Sequence, residues 1–321
     1  MTTVNFSTPV QSLLPHVEER MRSQSDGYHP DLSAALAHLL SSGGKRVRPT
    51  VALLTGGMLG ADTERLVTLA AAIELLHTAT LVHDDLIDGA LLRRGMPTLN
   101  SQWSPAATVL TGDFIFARAA TLAADTNSVP VVKMFAKTLA TIVGGELTQL
   151  FSSRGLASRE DYFQRIYAKT ASLFELATAA PAMLSPVGPE TIEAMRAFGH
   201  DIGVAFQIVD DVLDFTGEET RVGKPVASDL RQGLITLPAL IYLEKFPEDP
   251  DMRAILDGKY VNAALIERLV PAIRASGAIE EAMEEARRLV DQALEILNEY
   301  PEGSERAALF ELARYIVQRE L

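Results

Sequence analysis

Two short acidic clusters carry the strongest chemical signal in this sequence, Asp84-Asp85-Leu86-Ile87-Asp88 and Asp210-Asp211-Val212-Leu213-Asp214, both of the form D-D-x-x-D and both set in apolar stretches. On a helix of about 3.6 residues per turn, the first and fifth positions share a face. Asp84 therefore projects with Asp88, and Asp210 with Asp214. Carboxylates crowded beside apolar residues repel one another and are poorly hydrated, and a bound cation relieves both costs. Hard divalent ions prefer oxygen donors, and Mg²⁺ is commonly shared between a few carboxylates and substrate phosphates. Either cluster alone also reads as a solvated acidic turn or a helix N-terminus. The two together point to two metal-holding walls around one anionic ligand.

Basic residues stand at intervals that suit a phosphorylated substrate. The run Gly43-Gly44-Lys45-Arg46-Val47-Arg48-Pro49 sets three cations beside two glycines. Glycine lets backbone N–H groups approach an anion, while Lys and Arg neutralise it. Arg93-Arg94-Gly95 begins five residues beyond Asp88, Lys169-Thr170 offers an ammonium and a hydroxyl on one turn, and Lys224 follows the second acidic cluster in a Gly-containing loop. The run from Gly43 to Pro49 alone also fits a solvated basic turn. Gathered around acidic motifs, the cations point to phosphate held both directly and through metal. One of the two cation sets has no nearby carboxylate, which implies two phosphorylated ligands.

Composition bounds the rest. The 321 residues are 47% hydrophobic, ample for a large core, and no Pro/Gly/Ser-rich linker divides them. A single domain over residues 1–321 is expected, with residues 1–10 as a loose tail. Lys and Arg number 29 against 42 Asp and Glu, a net charge of −13 that argues against nucleic acid as partner. The absence of Cys excludes disulfides and thiolate metal sites. The N-terminus lacks the basic start and continuous apolar core of a signal peptide. The apolar stretch Leu66 to Val82 contains Glu74 and His77, which fits a buried helix better than a membrane span. The expectation is a soluble cytoplasmic protein.

The elements that must position these groups read as helices. Apolar residues recur at Ile279, Met283, Ala286, Val290, Ala293 and Leu297, with Glu284 and Arg288 paired on the opposite side. The segments 32–40, 192–206 and 304–318 behave alike, and alternating strand-like runs are hard to find. Breaks are predicted at 42–44, 89–97, 186–189, 216–233 and 246–258. The fold class is all-α, a large single-domain helical bundle of ten or so helices. At 100° per residue from Asp84, Thr80 lies at about −40°, His77 at about +20° and Asp88 at about +40°, so one polar stripe carries all four. Gln207, Asp210 and Asp214 align likewise, with Phe206 and Asp211 flanking. Polar stripes in apolar helices are expected to face a shared internal cavity.

The ordered motifs resemble the trans-prenyltransferases, the polyprenyl diphosphate synthases, over roughly residues 30 to 240. The resemblance is carried by residues 43–49, by the run from Leu76 to Asp88, and by Arg93-Arg94-Gly95. Gly145-Glu146, Lys169-Thr170, Phe206-Gln207 with Asp210 to Asp214, and Gly223-Lys224-Pro225 extend it. It implies an all-α homodimer of the isoprenoid synthase type, with a deep central cavity, that joins isopentenyl diphosphate head-to-tail to an allylic diphosphate and releases pyrophosphate. Carried over by position, it implies that Asp84, Asp85, Asp88, Asp210, Asp211 and Asp214 hold Mg²⁺, usually three ions, against the allylic diphosphate. Arg93, Lys169 and Lys224 would contact that diphosphate, with Thr170 and Gln207 near the reacting carbons. Lys45, Arg48, His77 and Arg94 would bind isopentenyl diphosphate, with a backbone contact from Gly44.

One departure from the family pattern stands after the second cluster. Where the family commonly reads G-K-x-x-G-x-D-L-x-x-G-K, this chain has Ala227 for a glycine and Leu234 for the second lysine, with Arg231 as a nearby substitute cation. Small residues, Ala79 and Thr80, stand five and four positions before the first aspartate, where family members with short products often carry an aromatic. A medium or long product is expected, and with it a transient membrane contact. Geranylgeranyl or farnesyl diphosphate synthesis is the alternative within the family. A non-catalytic regulatory subunit of a heteromeric synthase is the alternative outside it.

Overall fold

The computed structural model describes residues 6–41, 44–151, 158–217, 226–257 and 263–319, and helices dominate throughout. Among the described residues, ten helices are 12 residues or longer, in line with the periodicity. Helix Ser304–Gln318 has the predicted bounds, and Pro189–Thr216 extends its prediction at both ends. The break expected over 246–258 is corrected. Asp249 caps a helix there, Pro250–Leu256, by accepting the Asp251 and Met252 N–H groups, and Pro250 suits a first helical turn. The loose tail is corrected from residue 6 onward. Thr8–Val10 form a 3₁₀ turn, and Phe6 and Val10 are buried, because two apolar side chains gain more from the core than from water.

Helix Thr63–Ile87 positions the first cluster. It starts at Asp62, whose carboxylate accepts the Arg65 N–H at 3.0 Å, a cap worth about 1 kcal/mol. Every residue from Leu66 to Leu76 is buried, so this is a core helix enclosed on all sides. Its length and apolarity would suit a membrane span, yet most of it is packed inside the protein, as Glu74 and His77 predicted. Helix Pro105–Asp125 packs beside it. Gly112 permits that approach, since a Cβ there would lie 2.2 Å from Nε2 of His83.

The chain gathers into two compact units interleaved along the sequence. One comprises Met1–Leu139, Leu173–Gly199 and Leu297–Glu311; the other comprises Ala140–Ser172, His200–Ile296 and Leu312–Leu321. Each border falls inside a helix, never in a linker. The first unit holds Asp84 to Asp88 and the cations from Lys45 to Arg94, and the second holds Lys169, Thr170 and Asp210 to Asp214.

Candidate active site

In the first unit, burial follows the predicted stripe. His77, Thr80 and Asp84 are partly exposed and Asp88 is exposed, while Thr78, Ala79, Val82 and Asp85 are buried. The first cluster therefore splits. Asp84 and Asp88 lie toward the surface, whereas Asp85 faces protein, where Nε and Nη2 of Arg93 each lie 2.8 Å from its Oδ1. Arg93 is delivered by a two-residue antiparallel hairpin, Leu92–Arg93 with Met96–Pro97. Its turn residues Arg94 and Gly95 both have positive φ, the backbone that tight hairpins require. The hairpin is tied at its base by the Thr98 hydroxyl donating to the Ala90 carbonyl at 2.7 Å and by His38 Nε2, 2.8 Å from the Pro97 carbonyl oxygen.

Arg94, the next residue, belongs to a different group. A Cβ on Gly44 would lie 2.8 Å from its Nη1, so the bare Gly44 backbone lies against that guanidinium. Lys45 is exposed, and the Arg48 guanidinium lies 5.1 Å from the centroid of the Phe174 ring. Burial holds the His77 imidazole well below the usual histidine range, and the charges of Arg48, Arg94, Arg93 and Arg46 reinforce this. His77 is therefore neutral at pH 7. It offers a hydrogen bond inside a field of four arginines that favours an anion.

In the second unit the second cluster splits the same way. Asp210 and Asp214 are partly exposed, and Asp211 is buried. Tyr162 donates its hydroxyl to Asp211 Oδ2 at 2.7 Å, and Gln207 Nε2 donates to Oδ1 at 2.8 Å. The Thr170 hydroxyl in turn donates to Gln207 Oε1 at 2.6 Å, which fixes the amide's orientation. Thr170 and Lys169 lie in a π-helical turn, Tyr167–Ala171, where the extra residue per turn interrupts the regular ladder. Lys169 Nζ is 3.3 Å from Glu146 Oε1. Asp214 accepts the backbone N–H groups of Ser228 and Asp229, at 3.0 and 3.2 Å. Ala227, in the left-handed region at φ 55°, aims those groups. A glycine would adopt that backbone without the Cβ penalty of about 1–2 kcal/mol. Arg231 is exposed, and its Nε donates to the Val226 carbonyl at 3.0 Å. Lys224, with Gly223 and Pro225, lies outside the described residues, as does Gly43.

Burial pushes the Asp211 carboxyl up to about 7, with the charges of Asp229 and Asp210 adding and the bonds from Gln207 and Tyr162 opposing. The folded chain then holds that proton more tightly than the unfolded chain. This contribution to stability is full below about pH 4 and is lost as pH rises through about 7. Asp211→Asn should flatten the decline in unfolding free energy of metal-free protein across that window, as read by urea melts at stepped pH. An unchanged slope would refute the assignment.

Three side chains have partners that the sequence reading did not pair. Arg319 Nη1 lies 2.9 Å from Asp210 Oδ1, its Nη2 donates to the Phe206 carbonyl at 3.0 Å, and its guanidinium carbon sits 3.9 Å from the Phe206 ring centroid. Tyr162 holds Asp211, and Arg46 is tied to buried Glu74. No spacing rule finds the first two, because 109 and 49 residues separate the partners. Among the described residues no three acidic or imidazole side chains converge into a finished metal cage. Asp84 and Asp88 in the first unit, and Asp210 and Asp214 in the second, are partly or fully exposed carboxylates, the oxygen chemistry that hard cations take.

Comparison with known proteins decides the kinship. The family model described as polyprenyl synthetase matches residues 29–273. The chain belongs to the polyprenyl synthetase family. It is 37% identical over 308 residues to the heptaprenyl diphosphate synthase component 2 of Geobacillus stearothermophilus, covering 96% of each chain. It is 37% identical over 287 residues to the octaprenyl diphosphate synthase of Escherichia coli, covering 88% of each. A polyprenyl synthase from Caulobacter crescentus, solved with calcium and isoprenyl diphosphate, superposes with a TM-score of 0.91 at 34% identity, over 98% of this chain and 97% of that one. This polyprenyl synthetase is thus a prenyltransferase with the all-α isoprenoid synthase fold. The matched segment contains both acidic clusters and every cation singled out above from Lys45 to Lys224.

Proposed function

We propose that this polyprenyl synthetase condenses isopentenyl diphosphate head-to-tail with an allylic diphosphate and makes products longer than geranylgeranyl diphosphate. The observation that carries the reading is the divergence of two adjacent arginines. Arg93 pairs with Asp85 of the first cluster, while Arg94 lies against Gly44 in the set with Lys45, Arg48 and His77. Two diphosphates, one met through carboxylates and metal and one met by cations alone, fit that division. Relatives that make heptaprenyl and octaprenyl chains support the longer product, as does the small pair Ala79 and Thr80.

In this reading Asp84, Asp85, Asp88, Asp210, Asp211 and Asp214 form the metal-binding set, with Asp85 and Asp211 braced by their protein partners. Bound Mg²⁺, three ions per site, supplies Lewis-acid stabilisation of the departing diphosphate. Arg93, Lys169 and Lys224 hold the same anion as preorganised charge. The Thr170 hydroxyl oxygen, the Gln207 amide oxygen and the Lys169 carbonyl face the allylic cation with their dipoles. Lys45, Arg48, Arg94, neutral His77 and the Gly44 backbone keep isopentenyl diphosphate in reach. Its double bond forms the new C–C bond as the allylic C–O bond breaks, and the released pyrophosphate takes the proton that is lost. Exclusion of water protects the cation.

Arg48→Ala should raise KM for isopentenyl diphosphate by roughly tenfold to a hundredfold, the equivalent of about 1.5–3 kcal/mol for a charge-assisted hydrogen bond. KM for the primer should move little. Equal effects on both substrates would refute the two-subsite assignment.

We further assign a soluble, cytoplasmic homodimer as the working form, with membrane contact only for discharge of a long product. Helix Val129–Phe151 supports the dimer. It exposes Val129, Val132, Val143, Leu147, Leu150 and Phe151, all within about 100° of one face. The Geobacillus relative is named as one component of a synthase, which favours, as a second reading, a heteromeric partner for this chain. Purified chain given Mg²⁺, labelled isopentenyl diphosphate and a farnesyl primer should yield extractable prenyl product by itself, at the mass of a dimer. No product without a second protein would overturn the self-sufficient reading.

A further inference from the structure

Arg46 stands between two of the proposed isopentenyl diphosphate ligands, Lys45 and Arg48, yet its guanidinium is engaged by carboxylates and a carbonyl of the protein itself. Its three guanidinium nitrogens are taken: Nε by Glu18 Oε1 at 3.2 Å, Nη1 by Glu74 Oε1 at 3.1 Å, and Nη2 by the Leu40 carbonyl at 2.8 Å. Its side chain is 15% exposed and that of Glu74 only 8%. Its backbone is left-handed, at φ 47° and ψ 40°, an arrangement that a residue with a Cβ keeps only when its surroundings impose it. That turn carries the chain from Lys45 into helix Val47–Leu59, and the Arg46 carbonyl accepts the Thr50 N–H as the helix begins. Glu74 lies on the core helix Thr63–Ile87, three residues before His77, so it is anchored where the chain is least free to move.

We infer that Arg46 and Glu74 are positioning residues for isopentenyl diphosphate, a buried charge clamp that holds the strained turn so that Lys45 and Arg48 are aimed before substrate arrives. The clamp rests on the proposed function of this cation set. Glu74 also draws Arg46 toward the protein, since the bonds to Glu18, Glu74 and Leu40 engage three of its five N–H donors. Pre-setting the turn spares substrate binding the cost of ordering it.

The test compares Glu74→Gln, the double variant Arg46→Met/Glu74→Met, and Arg48→Ala, measuring kcat, KM for each substrate and melting temperature. Glu74→Gln should raise KM for isopentenyl diphosphate at least tenfold, leave KM for the primer within twofold, and lower the melting temperature, because a largely buried guanidinium loses the more enclosed of its two carboxylate partners. The double variant leaves neither charge of the pair behind and should regain the melting temperature while KM for isopentenyl diphosphate stays raised. If Glu74→Gln does not fold, the double variant alone carries the comparison. Recovery of that KM together with the melting temperature, or a parallel rise in both KM values, would overturn the clamp. A fall in KM for isopentenyl diphosphate in Glu74→Gln would make Arg46 a restrained ligand and overturn it too. An unmoved KM in Arg48→Ala would sink the underlying assignment of the cation set. A raised KM there with an unmoved one in Glu74→Gln would sink the clamp alone.

Discussion

Asp84→Ala and Asp210→Ala should each lower turnover by about a hundredfold to a thousandfold, the scale seen when one preorganised group that stabilises developing charge is removed, with helical content unchanged. Both aspartates are partly exposed. Truncation therefore deletes a proposed metal ligand without opening a cavity. The lost interaction acts mainly as the C–O bond breaks, so kcat should fall more than substrate affinity. The two variants differ in one respect. Asp210 is paired with Arg319, whose side chain is 12% exposed, so Asp210→Ala leaves a largely enclosed guanidinium with its Phe206 contacts and should melt at a lower temperature than Asp84→Ala. Steady-state kinetics at saturating Mg²⁺ with far-ultraviolet circular dichroism would decide. Near-normal turnover in either variant would sink the proposal that both clusters hold the metal.

Thr80→Phe should shorten the product sharply while the first condensation persists. Thr80 lies about 6 Å below Asp84 along the helix, on the same partly exposed stripe as His77 and Asp84, and its hydroxyl donates to the His77 carbonyl at 2.7 Å. An aromatic there sets a floor at the level a growing chain must pass. Ala79→Phe should act in the same direction from about 7.5 Å below Asp84. Ala79, however, is wholly enclosed, so a phenyl ring there also costs about 1–3 kcal/mol in overpacking. Chromatography of dephosphorylated products reads both variants. An unchanged product distribution in folded, active Thr80→Phe and Ala79→Phe enzymes would place the floor deeper.

Much of the site is legible in sequence because its grammar is local. A D-D-x-x-D run in an apolar stretch declares both its helix and the face its outer aspartates share, since both follow from a repeat of about 3.6 residues. The stripe His77, Thr80, Asp84 and Asp88 could be drawn that way, and their exposure agrees with it. Helix Ser304–Gln318 was readable to its ends for the same reason. The helix Pro250–Leu256 was missed although Asp249-Pro250 is a local start signal; seven residues carry too little periodicity to stand out.

The sequence by itself thus determined the helical class, the two acidic motifs and the family. Tertiary structure alone decided which group each charged side chain faces. Asp85 and Asp211 occupy the same motif position, yet one is held by an arginine from a hairpin and the other by a tyrosine 49 residues away. Arg46 and Arg48 are two residues apart, yet Arg46 has its guanidinium tied to two glutamates and a carbonyl while Arg48 lies over Phe174. The reason is physical. A side chain's periodicity is set by its own backbone, but its electrostatic partner is set by whichever distant segment the packed core brings within about 4 Å.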